Sequence, residues 1–324
     1  MSERVAVIST SYPRFDGDAA GHFVHSEVKR LVRAGHDVHV IAPGRGTSGS
    51  VDGARVHWLE DRGAFGWPGA LTRLAQHPTR ALGACAFTLR AARRVRELGP
   101  FAFVQAHFLV PSGWPIAITS NARLEVVGHG SDVRLLCRLP SPVRAHIVRS
   151  WLRRDARVRV TSGELAALVR AACPELASRL EVRPSPIDVG GVPSRVEARR
   201  ALGLPEHVQL AIIVSRLIPS KRVASALHAL GLVEDLTVSV VGDGPELESL
   251  RARFPSTHFV GRLPRPEALC FIAAADVVVS ASAEEGAPSV VREARALGVP
   301  VVAVAAGDLA AWAEADPGLV LVPR

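Results

Sequence analysis

The chain has 324 residues, 48% of them hydrophobic and 22% charged, with a formal net charge of +8. That length predicts two domains, the apolar share excludes a disordered chain, and no apolar run reaches the roughly 18 residues of a membrane span. The charge is mostly scattered arginine, since Lys29 and Lys221 are the only lysines, so it makes no case for nucleic acid as a partner. Charges on both sides of the short apolar run at residues 5–8 are unlike a secretory signal and predict a soluble, cytoplasmic protein. Cys85, Cys137, Cys173 and Cys270 form no C-x-x-C pair and are expected to be buried small hydrophobes, not disulfides or zinc ligands.

Short β-branched runs alternate with longer helical patterns, the mark of parallel α/β units. Residues 5–9 read as a strand, 21–34 as a helix and 38–42 as the next strand. Strands at 56–58, 103–106, 124–127 and 158–161 follow, with helical stretches near 70–98, 141–155 and 163–172. Prolines and paired glycines at 183–193 break both periodicities and mark a boundary, giving domains 1–187 and 188–324. Beyond it come a strand at 210–214, a helix at 222–230, a strand at 237–241 and a helix at 246–253. Strands at 258–260, 277–280 and 301–304 complete the pattern, with a helix at 289–297 between the last two. The fold class is therefore α/β, with two Rossmann-like, doubly wound domains facing across a cleft. Ligands in such sheets sit outside the carboxyl ends of the strands.

Residues 44–49 match G-x-G-x-x-G, but turn rather than helix follows, so they read as a flexible loop and not a nucleotide fingerprint. The loop after the first strand runs directly into a helix, and Gly17 and Gly21 would let its backbone approach a ligand; glycine is also common in such loops. His22 with His25, and His36 with His39, have metal-like spacing without an evident third ligand, and His36 after Gly35 reads as a helix C-terminus. His129, between Gly128 and Gly130 at a strand's carboxyl end, either points into the expected cleft or is a solvated turn residue. Arg216 and Lys221 lie between a strand end and a helix start, where one of so few lysines suggests a compact charge for phosphate; a solvated loop is the alternative. The strongest signal is 282–294: a strand ends, a loop turns at Gly286, and a helix begins near Pro288 with free amides around Ser289 and Val290. Glu285 and Glu293 are then placed to bond hydroxyls on either side of a bound diphosphate, although Glu293 reads equally as a helix-surface residue.

Together these segments resemble the family 4 retaining glycosyltransferases of the GT-B fold, glycosyl transferases group 1. The family's glutamate, seven residues and second glutamate fit Glu285 and Glu293, and its Arg and Lys fit Arg216 and Lys221. The G-D-G-P at 242–245, F-V-G-R-L at 259–263, H-G-S-D at 129–132 and the opening at 12–24 are also similar. The resemblance implies a metal-independent, cofactor-free hexosyltransferase-type enzyme that takes a UDP- or GDP-linked sugar. The acceptor, a glycan, a lipid-linked molecule or a small molecule, stays open. Arg216 and Lys221 would neutralise the leaving diphosphate, each such group being worth about 3–4 kcal/mol. By the same resemblance Glu293 holds the ribose, Glu285 and His129 contact the donor sugar, and Arg262 and Leu263 offer backbone to the base. Gly286, Ala287, Pro288, Ser289 and Val290 would wrap the diphosphate, Gly242 would lie on the nucleotide side, and Gly17 and Gly21 would let their loop close over the phosphates. Retention by front-face attack, with the leaving phosphate helping to deprotonate the acceptor, is likewise implied.

Three departures are visible. Arg222 replaces the glycine common after the family's lysine, Ala287 replaces a bulkier residue, and the C-terminal domain is expected to be short, the chain stopping at residues 319–324 where the family continues with closing helices. The short end favours an alternative, a degenerate nucleotide-sugar-binding protein without catalysis. A nicotinamide-dependent oxidoreductase would need a glycine fingerprint that opens a helix, which the chain lacks. Finally, residues 143–159 set Arg144, Arg149, Arg153, Arg154, Arg157 and Arg159 around Ile147, Val148, Trp151 and Leu152. That pattern is either a basic amphipathic helix giving peripheral contact with the inner membrane face or a solvated surface helix.

Overall fold

A computed structural model describes residues 2–67 and 69–323. The chain falls into two compact units: Met1–Arg14 with Ala20–Pro186, and Phe15–Ala19 with Ile187–Arg324. The first contains β1 (Arg4–Ile8), α1 (His22–Arg33), β2 (Asp37–Pro43), β3 (Gly49–Val51), β4 (Ala54–Leu59), α2 (Ala70–Gln76) and α3 (Arg80–Leu98). It continues with β5 (Phe103–His107), α4 (Trp114–Thr119), β6 (Arg123–Gly128), α5 (Ser131–Arg138), α6 (Ser141–Arg153), β7 (Arg157–Val160), α7 (Gly163–Ala172) and β8 (Leu180–Val182). Its sheet runs β3-β4-β2-β1-β5-β6-β7-β8, parallel throughout except for the β3–β4 pair.

Parallel strands are covered on both faces, which is why their apolar residues face both ways. Val5, Val7, Val38 and Val40 pack with Val24, Val28 and Leu31 of α1 on one face. Ile8, Val104, Val126 and Val158 pack on the other with Phe87 of α3, Trp151 of α6 and Leu165 of α7.

The second unit contains α8 (Arg195–Ala201), β9 (Gln209–Val214), α9 (Val223–Leu230), β10 (Leu236–Val241), α10 (Leu247–Arg253), β11 (His258–Gly261) and α11 (Arg265–Ala274). It ends with β12 (Val277–Ser280), α12 (Ser289–Ala296), β13 (Val301–Val304), α13 (Leu309–Ala315) and β14 (Leu319–Val322). The order β11-β10-β9-β12-β13-β14 is wholly parallel. Strand order therefore reverses between β1 and β5 in one unit and between β9 and β12 in the other, and each reversal opens a crevice at the carboxyl ends of the strands. α8 starts on a capping box between Ser194 and Glu197. Its Arg199 is buried and donates to the carbonyls of Ala274, Pro205, Glu206 and Val208 and to Asp276, tying α8 to the edge of the sheet.

Several expectations are corrected. The loop expected from residue 44 onward gives way to a hairpin: β3 pairs antiparallel with β4 across Asp52 and Gly53, both at positive φ (46° and 81°), the turn that Asp-Gly favours. The single stretch at 70–98 is two helices, α2 and α3, parted around Pro78. The helices α4, α5, α8, α11 and α13 and the strands β8 and β14 were not expected. Of the cysteines only Cys173 is buried; Cys137 and Cys270 are half-buried and Cys85 is exposed. The basic segment 143–159 does not offer an apolar face to a bilayer. Ile147, Val148 and Trp151 of α6 turn into the core, where the Trp151 indole donates to the Gly113 carbonyl (3.2 Å), and Arg159 is buried on β7. Among the described residues no helix is long and apolar enough to cross a membrane.

Candidate functional site

In the second unit, β9 and β12 are hydrogen-bonded neighbours at the strand-order reversal, so the loops leaving their carboxyl ends converge. The backbone N–H of Ala283 donates to the Ser220 carbonyl (2.9 Å) and pins one loop to the other. After β9 the chain runs through Arg216, makes a single tight turn at Pro219–Lys221, and enters α9 through Arg222 in the left-handed region (φ 51°). Lys221 Nζ forms an ion pair with Glu285 Oε1, with side chains 15% and 14% exposed. Burial depresses the Arg216 guanidinium and the Glu285 charge pulls it the other way, so Arg216 shares this electrostatic environment. Arg216, Lys221 and Glu285 are thus brought together from segments some 65 residues apart.

Gly242 accounts for how the Arg216 loop is held. At φ 143°, a Cβ on Gly242 would lie 1.8 Å from the Ser215 carbonyl oxygen, so the two backbones touch where no side chain fits. Ser215 donates its N–H to Val241 (3.0 Å) and Leu217 to Asp243 (2.9 Å) beside this contact. Gly286, Ala287 and Pro288 complete the loop from Glu285. α12 then begins at Ser289 with Pro288 as its cap residue and no side-chain cap. The first N–H groups of a helix, here those of Ser289 and Val290, have no carbonyl of their own helix to bond and favour an anion.

Glu293 is not a surface residue. It lies one turn into α12, 4% exposed, and its Oε1 accepts from Arg265 at 2.8 Å. Arg265 also donates to the Asp188 carbonyl (3.0 Å), while its own backbone N–H donates to the Gly17 carbonyl (2.6 Å). Arg262 forms an ion pair with Asp18, and Leu263 packs on the core of the unit. Gly17 therefore groups with Arg262, Leu263 and Glu293, as expected for none of them from spacing alone. Arg265 and Asp18 were missed by sequence reasoning, because a pair separated by 28 or 244 residues leaves no local signal.

Gly21 and His129 belong to the first unit. Gly21 (φ 71°) precedes α1, and a Cβ there would meet the Ser11 carbonyl at 2.3 Å, so its absent side chain lets the loop fold back on itself. His129 follows β6. Asp132 accepts from the backbone N–H groups of His129 and Gly130 (both 3.0 Å) and of Leu109 (2.7 Å), which fixes the turn. The His129 ring meets the His107 ring at 2.9 Å between Nε2 and Nδ1. Burial holds both imidazoles well below the usual histidine range, and nearby cationic charge from Arg159 adds to it. The His22 and His36 pairs do not form a metal centre: His25 pairs with Asp52 (2.9 Å) and His39 with His57 (3.0 Å). Among the described residues no group of three or more His, Cys, Asp or Glu side chains is placed to hold a metal ion.

Residues 208–324 match the family model described as Glycosyl transferases group 1. Over 99% of its length the chain is 28% identical to a putative teichuronic acid biosynthesis glycosyltransferase, TuaC, of Bacillus subtilis, covering 86% of that protein. Among solved structures, a sucrose-phosphate synthase from Thermosynechococcus elongatus superposes with a TM-score of 0.80 at 20% identity, covering 99% of this chain and 86% of that one. The Anabaena protein HepE, solved in complex with UDP-glucose, superposes with a TM-score of 0.69 at 19% identity, over 99% of this chain and 86% of that one.

Proposed function

We propose, from the match of residues 208–324 to the Glycosyl transferases group 1 model, that the chain moves a sugar from a UDP- or GDP-linked donor to an acceptor, with retention and without a metal. The observation that carries this reading is the convergence of Arg216, Lys221 and Glu285 with the start of α12 at the β9/β12 reversal. In it, residues 188–324 hold the donor and residues 1–187 present the acceptor. The diphosphate lies against the N–H groups of Ser289 and Val290, within the loop of Gly286, Ala287 and Pro288. Arg216 and Lys221 take up the charge that develops on the bridging oxygen as the sugar leaves, which is the step a preorganised cation accelerates. Glu285 orients the donor sugar, held in place by Lys221. Glu293, fixed by Arg265, bonds the ribose hydroxyls, and the backbone at Arg262 and Leu263 faces the base. His129 contacts the sugar, Gly17 and Gly21 give their loop its path, and Gly242 keeps the Arg216 loop in place.

The test is release of nucleoside diphosphate, with water or an added glycan, lipid-linked or small-molecule acceptor taking the sugar, from a panel of UDP-, GDP-, ADP- and dTDP-sugars, with and without EDTA, in wild type, Lys221→Ala and Glu285→Ala. Donor-dependent release that survives EDTA and falls in both variants is expected. Equal rates in all three proteins would sink the role assignment. Tight nucleotide binding without release from any donor would favour a non-catalytic binding protein.

A further inference from the structure

The central strands of the first unit carry a polar layer where apolar residues are the rule. Gln105 and His107, two apart on β5, share one face. Gln105 pairs in register with Glu125 of β6, and Arg159 of β7 lies beyond. Glu27 of α1 closes over them; Gln105, His107, Glu27, Glu125 and Arg159 are all buried. Burying this many polar groups is costly unless each has a partner with the right donor or acceptor character. The pairing has one consistent solution.

Gln105 Nε2 lies 2.5 Å from Glu125 Oε2 and 3.3 Å from Glu27 Oε1. Both carboxylates stand next to cations: Arg159 is 3.6 Å from Glu27 and 3.7 Å from Glu125, Arg30 is 2.8 Å from Glu27, and Arg183 is 3.3 Å from Glu125. Ionised carboxylates only accept, so the Gln105 amide must turn its NH2 toward them and its oxygen away. That oxygen lies 2.9 Å from His107 Nε2, which must therefore carry the proton. His107 Nδ1 is then a bare lone pair, 2.9 Å from His129 Nε2. His129 Nε2 must in turn carry the proton, and the near-coplanar rings (10°) suit an in-plane N–H···N bond. A neutral His129 with its proton on Nε2 has one site left, an accepting Nδ1.

We propose that Gln105 and His107 are positioning residues that fix His129 as the Nε2–H tautomer, so that its Nδ1 accepts a hydrogen bond from a donor-sugar hydroxyl. The chain of constraint begins at the Glu27 and Glu125 carboxylates and ends at the strand edge. The desolvation of both rings, which disfavours the imidazolium, agrees with it. The inference rests on the reading of His129 as a donor contact, but the tautomer itself is measurable without any donor.

The experiment is ring 15N spectroscopy of the full chain labelled at histidine, with His129→Ala assigning the His129 signals and Gln105→Met removing the hydrogen bonds at similar volume. In wild type, Nε2 of His129 is expected to be pyrrole-like and Nδ1 pyridine-like as the pH is lowered from about 8 through the ordinary histidine midpoint of about 6.5. In Gln105→Met the second tautomer appears, and kcat for nucleoside diphosphate release falls about tenfold with KM for the donor little changed, the size of one hydrogen bond in the transition state. A proton on Nδ1 in wild type would overturn the proposal, and so would a Gln105→Met protein with unaltered tautomer and kcat. Should that variant fail to fold, the wild-type spectrum alone decides the tautomer. Normal turnover by His129→Ala alongside the expected spectrum would instead defeat the donor-contact reading.

Discussion

Removing Lys221 is the sharpest test of the second unit's chemistry. Its ammonium pairs with Glu285 in a partly buried setting, 15% and 14% exposed, so little solvent screening weakens either charge. A cation and one unit of phosphate charge about 4 Å apart interact by about 4 kcal/mol at an effective dielectric of about 20. Removal of a preorganised group typically costs about 3–4 kcal/mol of transition-state stabilisation. Lys221→Ala is therefore expected to lower kcat/KM for nucleoside diphosphate release by roughly 10²–10³-fold. The substitution also leaves Glu285 without its ion-pair partner, and on the proposed reading facing a diphosphate of like sign. Lys221→Ala/Glu285→Gln should then bind UDP or GDP about tenfold more tightly than Lys221→Ala alone, because relieving a like-charge contact of about 1.4 kcal/mol is a factor of ten. Calorimetry with UDP and GDP measures the second effect, and initial rates of diphosphate release measure the first. A Lys221→Ala protein within threefold of wild type in both would refute the reasoning.

Three further outcomes follow from the geometry. Arg199→Leu strips a buried guanidinium from four carbonyls and Asp276, and should lower stability in urea by about 3–5 kcal/mol, as the breaking of buried ion pairs does. Arg222 sits at φ 51°, where a side chain costs about 1–2 kcal/mol. Arg222→Val should destabilise by at least about 1 kcal/mol and Arg222→Gly should not, since glycine's entropic cost of about 0.5–1 kcal/mol roughly offsets the strain relieved. Burial, with help from Arg94, His39 and Arg55, pushes the His57 imidazole down to about 4. The unfolded chain binds a proton there that the folded chain refuses, so the stability is complete above about pH 6.5 and is eroded as pH falls toward 4, by up to about 3 kcal/mol. Replacing His57 with Gln should flatten that part of the stability profile in pH-dependent urea titrations.

The fold class was legible because strands buried on both faces must be apolar and β-branched, and runs such as 210–214 and 277–280 announce themselves. What stayed hidden depends on packing and on partners distant along the chain. α11 is apolar almost all round, with Leu269, Ile272, Ala273 and Ala274 buried, so it carries no clean helical period to read. α6 shows its arginines more plainly than its inward face, and only packing reveals that Trp151 and Val148 are taken up by the core. The turn at Asp52-Gly53 was legible but the strand before it was not, although Asp-Gly between two short runs is a hairpin signal in its own right. Arg265, His107 and Gln105 belong to another class. Their significance lies in partners distant along the chain, and a polar residue inside a predicted core strand was the one hint available. Gln105 and His107 alternate with Val104 and Ala106, and that alternation in a strand expected to be apolar on both faces was the trace of the polar layer.

The arginine excess also takes on a physical meaning. Many guanidiniums are engaged in holding the protein's own backbone: Arg199 clasps four carbonyls, Arg73 those of Gly63 and Trp67, Arg144 those of Cys137 and Leu139, and Arg295 that of Val299 together with Asp316. A planar fork with five donors suits that task, because several carbonyls can be satisfied at once by one rigid group. On the proposed reading Lys221 has a different task. A compact ammonium on a flexible stem forms one strong contact with Glu285 and can turn toward a second anion without dismantling a network of bonds. An arginine at 221 would carry the same charge but would bring a fork to be satisfied in a half-buried space shaped around a point charge. The expectation is that Lys221→Arg keeps nucleotide affinity within about tenfold of wild type yet loses more in kcat, since charge alone binds a diphosphate and placement stabilises its departure. A loss of affinity with kcat unchanged would show instead that Lys221 contributes binding and nothing specific to the transition state.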